Sequence, residues 1–215
     1  SQNLIDFAVA KSGILIALNA EKIQKCDKAV RSINNKNIGY PDGSGVVLAC
    51  HLKGKKNARK IAGCDLWLEI IDKCHTTRTI FLIGGQPEIL DKTIAKLRDI
   101  HSKIEIAGAC HGYFAPEEEK VIIDSVCTSK PDIVFVALGS PKQELLMDKL
   151  YSVHPVLYQG LGGSFDIFVG KVRRAPAIFR RLNLEWLYRL AKQPSRVLRQ
   201  YRLLIFLIRL LLGKY

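Results

Sequence analysis

Short apolar runs and polar, helically spaced stretches alternate along most of the chain. Residues 13–20 (GILIALNA) are apolar, bounded by glycine and closed by Asn19, the pattern of a buried strand. Residues 22–35 are polar with helical spacing, and 37–45 (NIGYPDGSG) are so dense in turn formers that they read as a loop. A helix opens at Val46, and 53–60 (KGKKNARK) reads as a basic surface loop. Another helix opens at 61–67, with Asp65 at a natural capping position and 67–71 facing inward. From there the rhythm is regular: strand 79–83, helix 88–100, strand 104–107, helix 117–128, strand 132–139, helix 141–150 and a short strand 156–158. Strand and helix alternating at this pitch predict an α/β fold, a parallel sheet flanked by helices on both faces.

Candidate chemistry gathers where strands hand over to helices, because ligands of open α/β sheets lie beyond the carboxyl ends of the strands. The run VFVALG (134–139) passes directly into SPKQE (140–144). Ser140 reads as the N-cap and Pro141 as the first helical residue, which leaves the N–H groups of Lys142 and Gln143 for an anion, a phosphate above all. An ordinary strand-to-helix junction is the plainer reading of the same residues. The turn GLGGSFD (160–166) brings Gly162 and Gly163 together ahead of Asp166, and such glycines let backbone approach a phosphate or sugar. Asn19 either contacts the ligand at its strand tip or caps the next helix. Asp42, just ahead of a helix, either caps it or acts as a base at the crevice mouth, with Asp65 and Asp166 in reserve. Gly43-Ser44-Gly45 lacks the third glycine and the preceding strand of a dinucleotide fingerprint.

Charge changes the picture for the end of the chain. Of 33 Lys and Arg and 20 Asp and Glu in 215 residues, twelve basic residues and one acid, Glu185, fall in 171–215; the first 170 residues are nearly balanced. This divides the chain into a near-neutral α/β domain, 1–170, and a basic amphipathic C-terminal helical appendage, 171–215, suited to an anionic surface. Its apolar run, 203–212, is far short of the roughly 20 residues that span a bilayer, so a helix lying in the headgroup plane fits, as does one packed on its own domain or a sister subunit. Arg189, Arg196 and Arg199 stand at i, i+7 and i+10, within about 80° of one face of a continuous helix, a spacing fit for a diphosphate or for lipid headgroups. Six scattered cysteines without a CxxC pair and no secretory leader read as reduced thiols in a cytoplasmic protein. No HxH, HExxH or DxD group is present, so neither metal nor cofactor is expected.

PDGSGVV (41–47), HGYF (111–114), ALGSPKQE (137–144), GLGGSFD (160–166), GKVRRAP (170–176) and LEWLYRL (184–190), in this order and spacing, resemble the WecG/TagA/CpsF family of bacterial glycosyltransferases from about residue 13 to about residue 200. The resemblance implies a Rossmann-like enzyme, peripheral on the inner face of the cell membrane. Such an enzyme moves a sugar, often N-acetylmannosamine or its uronic acid, from a UDP donor to a polyprenyl-diphosphate-linked sugar, with inversion and without metal. By the same resemblance the catalytic carboxylate falls on Asp42, the strand-tip Asn on Asn19 and the SPKQE glutamine on Gln143. Ser140, Lys142, Glu144, Gly162, Gly163 and Asp166 are then expected at the UDP-sugar site, and Arg189, Arg196 and Arg199 at the diphosphate. Ala17 stands where the family commonly has Thr, and Lys60 where it has Arg, a point charge in place of a fork. The chain also begins past the first strand usual in the family.

Two other classes share parts of this pattern. A nucleotide-binding oxidoreductase would share the sheet but needs the missing glycine fingerprint. A basic nucleic-acid-binding module would explain the charge, yet the tail is rich in leucine and poor in interleaved aromatics, so nucleic acid is not an expected partner. Homo-oligomerisation is left open.

Overall fold

The computed structural model describes residues 2–25, 27–181, 185–192, 205–206 and 208–210. Six strands, β1 (Gly13–Leu18), β2 (Ile38–Pro41), β3 (Thr79–Gly84), β4 (Glu105–Cys110), β5 (Ile133–Ala137) and β6 (Leu157–Gly160), form one sheet in the order β2-β1-β6-β5-β3-β4. Every pairing is parallel, so all six carboxyl ends lie along one edge. This is the α/β architecture expected from the alternation, and the Rossmann-like one that the resemblance implies.

The strands are apolar on both faces because both faces are covered. On one face Leu15, Ala17, Ile80, Leu82, Ile133, Phe135 and Leu157 pack with α1 (Gln2–Ala10), α5 (Gly63–Cys74), α6 (Pro87–Ile100) and α9 (Ser164–Phe168). Trp67 of α5 is fully buried there, its ring 5.7 Å from Phe135 and 5.6 Å from Phe165. On the other face Ile14, Ile16, Phe81, Ile83, Val134, Val136 and Tyr158 pack with α3 (Lys28–Lys36), α7 (Glu119–Ser129) and α8 (Lys142–Val153). The side-chain period of two thus builds two cores from one set of strands.

Several local expectations are corrected. Residues 38–41 are not loop but strand β2, paired with β1 from Leu15↔Ile38 to Leu18↔Pro41. Turn-forming residues here follow a short strand whose pairing partner is distant in sequence. The helix expected over 22–35 is two, α2 (Ala20–Lys25) and α3, because the Asp27 carboxylate accepts the Val30 N–H and starts a new helix. Asp65 caps nothing: α5 begins two residues earlier, with Ala62 as N-cap, and Asp65 lies within its first turn. The amino-terminal residues, unassigned in the sequence pattern, form α1, which buries Ile5 and Ala8.

Beyond 170 the chain returns to the body of the protein. Ala175 is buried, α10 (Ala177–Arg181) and α11 (Glu185–Lys192) follow, and Phe206 and Leu210 pack with Ala20, Ile23 and Ala49. The last of these lies on α4 (Ser44–Leu52), the helix that follows β2.

Candidate active site at the carboxyl edge of the sheet

Neighbouring strands hand over to opposite faces around β6. The chain leaving β6 enters α9 on the Trp67 face, whereas β5 on one side leads to α8 on the opposite face. Loops diverging this way open a crevice at the strand tips. The tips of β5 and β6 that border it are 138–140 and 161–163, and Asn19 and Asp42 follow β1 and β2 along the same edge.

A chain of polar contacts runs along this edge. The Gly162 N–H donates to Gln143 Oε1 at 2.9 Å, and Gln143 Nε2 donates to Glu144 Oε1 at 3.0 Å. The same Oε1 receives Lys22 Nζ at 2.6 Å. Lys22 in turn donates its backbone N–H to Asn19 Oδ1 at 2.9 Å, so Asn19 does cap α2. A Cβ placed on Gly43 would stand 3.7 Å from Asn19 Cβ, which sets the tips of β1 and β2 side by side. Asp42 donates its N–H to Leu18 O at 2.9 Å, and its Oδ1 accepts the Gly63 N–H at 3.3 Å. Asp42 is half-buried at the tip of β2.

The SPKQE turn differs from the sequence expectation. The Ser140–Pro141 peptide is cis and α8 starts at Lys142, with Pro141 rather than Ser140 at the cap. The Gln143 N–H is not available to an anion, because it donates to Gly139 O at 2.9 Å. Ser140 and Lys142 are exposed at the β5 tip, whereas Gln143 and Glu144 are buried and face inward. Gln143 therefore joins the β5 and β6 turns through its amide. Gly160 leaves room for it: a Cβ there would lie 2.5 Å from Gln143 Nε2. Gly162, in the left-handed region at φ +58°, and Gly163 both have open space where a side chain would stand.

A second cluster flanks Asp42. Ile61 donates its N–H to Pro41 O at 2.9 Å, carrying Lys60 alongside the β2 tip, where Lys60 Nζ pairs with Glu185 Oε2 of α11 at 3.3 Å. Arg174 grips Asp65 with both terminal nitrogens, Nη2 to Oδ2 at 2.7 Å. Burial pushes the Cys64 thiol up to about 11 against the opposing pull of Arg174, so it stays protonated near neutral pH and is no nucleophile. Burial first, and then the Asp42 charge, hold the Tyr40 phenol protonated; Gln159 Nε2 donates to its oxygen at 3.3 Å.

Of the residues singled out in the sequence, Asn19, Asp42, Gln143, Glu144, Gly162 and Gly163 come together at this edge, with Lys60 beside them. Asp166 sits farther round, on α9, with its carboxylate 3.6 Å from Lys171 Nζ. Arg189 lies on α11, while Arg196 and Arg199 fall outside the described residues. Sequence reasoning missed Lys22, Gln159, Arg174 and Glu185. Gln159 was findable as a polar residue inside an apolar strand, and Glu185 as the one acid of the tail; nothing about Lys22 distinguishes it from a surface lysine. Among the described residues no group of three His, Cys, Asp or Glu side chains converges as metal ligands would, and no helix is long and apolar enough to cross a membrane.

Compared with known protein families, residues 2–215 match the glycosyl transferase WecG/TagA/CpsF family, essentially the whole chain, and the protein belongs to that family.

Proposed function

We propose that this WecG/TagA/CpsF glycosyltransferase moves a sugar, N-acetylmannosamine or its uronic acid, from a UDP donor to a polyprenyl-diphosphate-linked sugar in cell-envelope polysaccharide synthesis. Membership in a glycosyltransferase family sets aside the oxidoreductase and the nucleic-acid module. The observation that carries the reading further is the placement of Asp42. It is a half-buried carboxylate at a strand tip, held by the Gly63 N–H, beside Asn19 and on the same edge as the open Gly162-Gly163 turn.

In this reading Asp42 takes the proton of the acceptor hydroxyl as its oxygen attacks the anomeric carbon. The bond from that carbon to the UDP oxygen breaks on the opposite side, so the configuration inverts and UDP departs as the anion. Gly162 and Gly163 let the donor lie against backbone, with Gln143 fixing that turn from behind. Lys142 and Lys60 supply positive charge near the departing diphosphate, joined by Arg189, Arg196 and Arg199 of the tail, with no metal ion in the step. Support for the tail's part comes from Phe206 and Leu210, which pack on α2 and α4, the helices that follow Asn19 and Asp42. A lipid-linked acceptor requires the enzyme to work at the inner membrane face, and the basic tail suits that surface.

Asp42→Asn tests the assignment. Turnover should fall about a hundredfold or more, the scale of a lost general base, with UDP affinity nearly unchanged. Near-normal turnover in that variant would remove Asp42 from the role.

A further inference from the structure

Helix α4 and the loop behind it form a surface to which the proposed reaction assigns no role. Val46 faces the core and is buried, and Leu48 and Leu52 lie about 200° and 240° further round the helix, 45% and 56% exposed. Being four residues apart, the two leucines stand one above the other on the outer face. The loop that follows carries Lys53, Lys55, Lys56 and Arg59, all exposed, and no carboxylate among the described residues pairs with any of them. Not one Asp or Glu occurs from Gly43 to Cys64. The loop is nonetheless built: Lys55 donates its N–H to Cys50 O at 2.8 Å, Ala58 its N–H to Lys55 O at 3.0 Å, and His51 Nε2 lies 2.9 Å from Ala58 O. The backbone that carries these cations is thus held around the end of α4 rather than trailing from it.

We propose that this tip, Leu48 and Leu52 ringed by Lys53, Lys55, Lys56 and Arg59, is a second membrane contact of the enzyme, inserting its leucines among acyl chains while the cations meet anionic lipid headgroups. Two apolar side chains within a basic ring match the interface of an anionic bilayer, apolar below and negative at the surface. A second copy of the chain fits poorly, since a two-fold contact would set these cations against themselves with no acid between. Single-stranded nucleic acid also fits poorly, since the tip offers leucine where bases need aromatic rings. The patch continues into the tail: Ala49, on the same helix, packs with Phe206 and Leu210, and Ile208 and Arg209 are exposed beside them.

The position gives the contact a purpose that rests on the lipid-linked acceptor proposed above. Helix α4 begins two residues after Asp42, and its nine residues are about 13 Å long. A bilayer touched by the far end of α4 would hold the strand edge one short helix above the headgroups, where a sugar diphosphate rising from the membrane can reach it.

The full chain is compared with Leu48→Ser/Leu52→Ser and with Lys55→Gln/Lys56→Gln for binding to vesicles of equal parts phosphatidylglycerol and phosphatidylcholine. Each surface lysine should contribute about fivefold, so the lysine pair should weaken binding roughly 25-fold at low salt, and the serine pair at least tenfold. Turnover on a water-soluble acceptor should be unchanged in both. Leu52→Trp should add fluorescence that brominated lipid quenches. Binding within twofold of the parent in both double variants, or an unquenched Leu52→Trp, would overturn the proposal. So would a parent dimer that the serine pair dissolves while vesicle binding persists. Vesicle binding that depends on these residues in a protein without sugar transfer would instead count against the acceptor reading alone.

Discussion

Lys22 Nζ and Glu144 Oε1 meet at 2.6 Å with the two side chains 7% and 0% exposed, joining the helix after β1 to the helix after β5 inside the protein. Glu144 also receives the Gln143 amide, whose other end holds Gly162, so one buried ion pair supports the turn on which the donor is proposed to lie. Removing either partner would leave an unpaired charge where water is excluded.

Lys22→Met should therefore lower the free energy of unfolding by about 3–5 kcal/mol, the usual cost of breaking a buried pair from one side. Adding Glu144→Gln should restore much of that loss, since the stranded charge goes with it. Urea unfolding of the two variants checks this, and a loss under about 1 kcal/mol in the single variant would mean that Glu144 finds other partners.

Gln143→Ala takes away the link between Glu144 and the Gly162 N–H without touching the open face of the turn. We expect weaker donor binding or slower turnover with a modest loss of stability, read from kcat, KM and thermal unfolding of the same preparation. Gly160→Ala should act alike, because its new methyl would press on an amide held at both ends; such overpacking costs roughly 1–3 kcal/mol. A fully active Gly160→Ala enzyme would show that the amide can move aside.

Asp132, at the opposite edge of the sheet, accepts the Thr79 N–H at 2.8 Å, the Thr79 hydroxyl at 3.0 Å and Arg78 Nη1 at 3.0 Å. Burial alone would raise its carboxyl, but these donors outweigh burial and hold it below the ordinary carboxylate range. A depressed folded value contributes stability that is complete above the unfolded value of about 3.9 and fades as pH falls through the folded value. Asp132→Asn should be less stable than the parent at pH 7, and the gap should close below about pH 4. A gap of constant size from pH 7 to pH 2.5 would show that the carboxylate charge is not what matters.

Phe206→Ser should free the end of the tail from Ala20, Ile23 and Ala49. If the tail completes the site, turnover on a water-soluble acceptor falls with it, and so does turnover of Arg196→Ala and Arg199→Ala. Those arginine variants should lose more turnover than vesicle binding. Each headgroup contact contributes about 1 kcal/mol, against roughly 3–4 kcal/mol for a group that stabilises a departing diphosphate. Full turnover of all three variants on that acceptor would leave the tail as an anchor only.

The sequence by itself determined the layered α/β architecture, because strand and helix periods recur down the chain and a strand buried on both faces must be apolar throughout. It also located part of the candidate edge, since Asn19, Ser140 and Gly162 follow strands legible in the pattern, whereas Asp42 could be placed only ahead of a helix. It misplaced β2, because IGYP becomes a strand only by pairing with Leu15 to Leu18, and its own residues favour a turn. It assigned the Gln143 N–H to a ligand when Gly139 O takes it, since the cap depends on how the chain enters α8. Tertiary structure alone decided that Lys22, 122 residues from Glu144, is buried against it. Local pattern reports which residues turn inward, but the partner of a buried charge is set by which helices the sheet order brings together, and that order is written in contacts far apart along the chain.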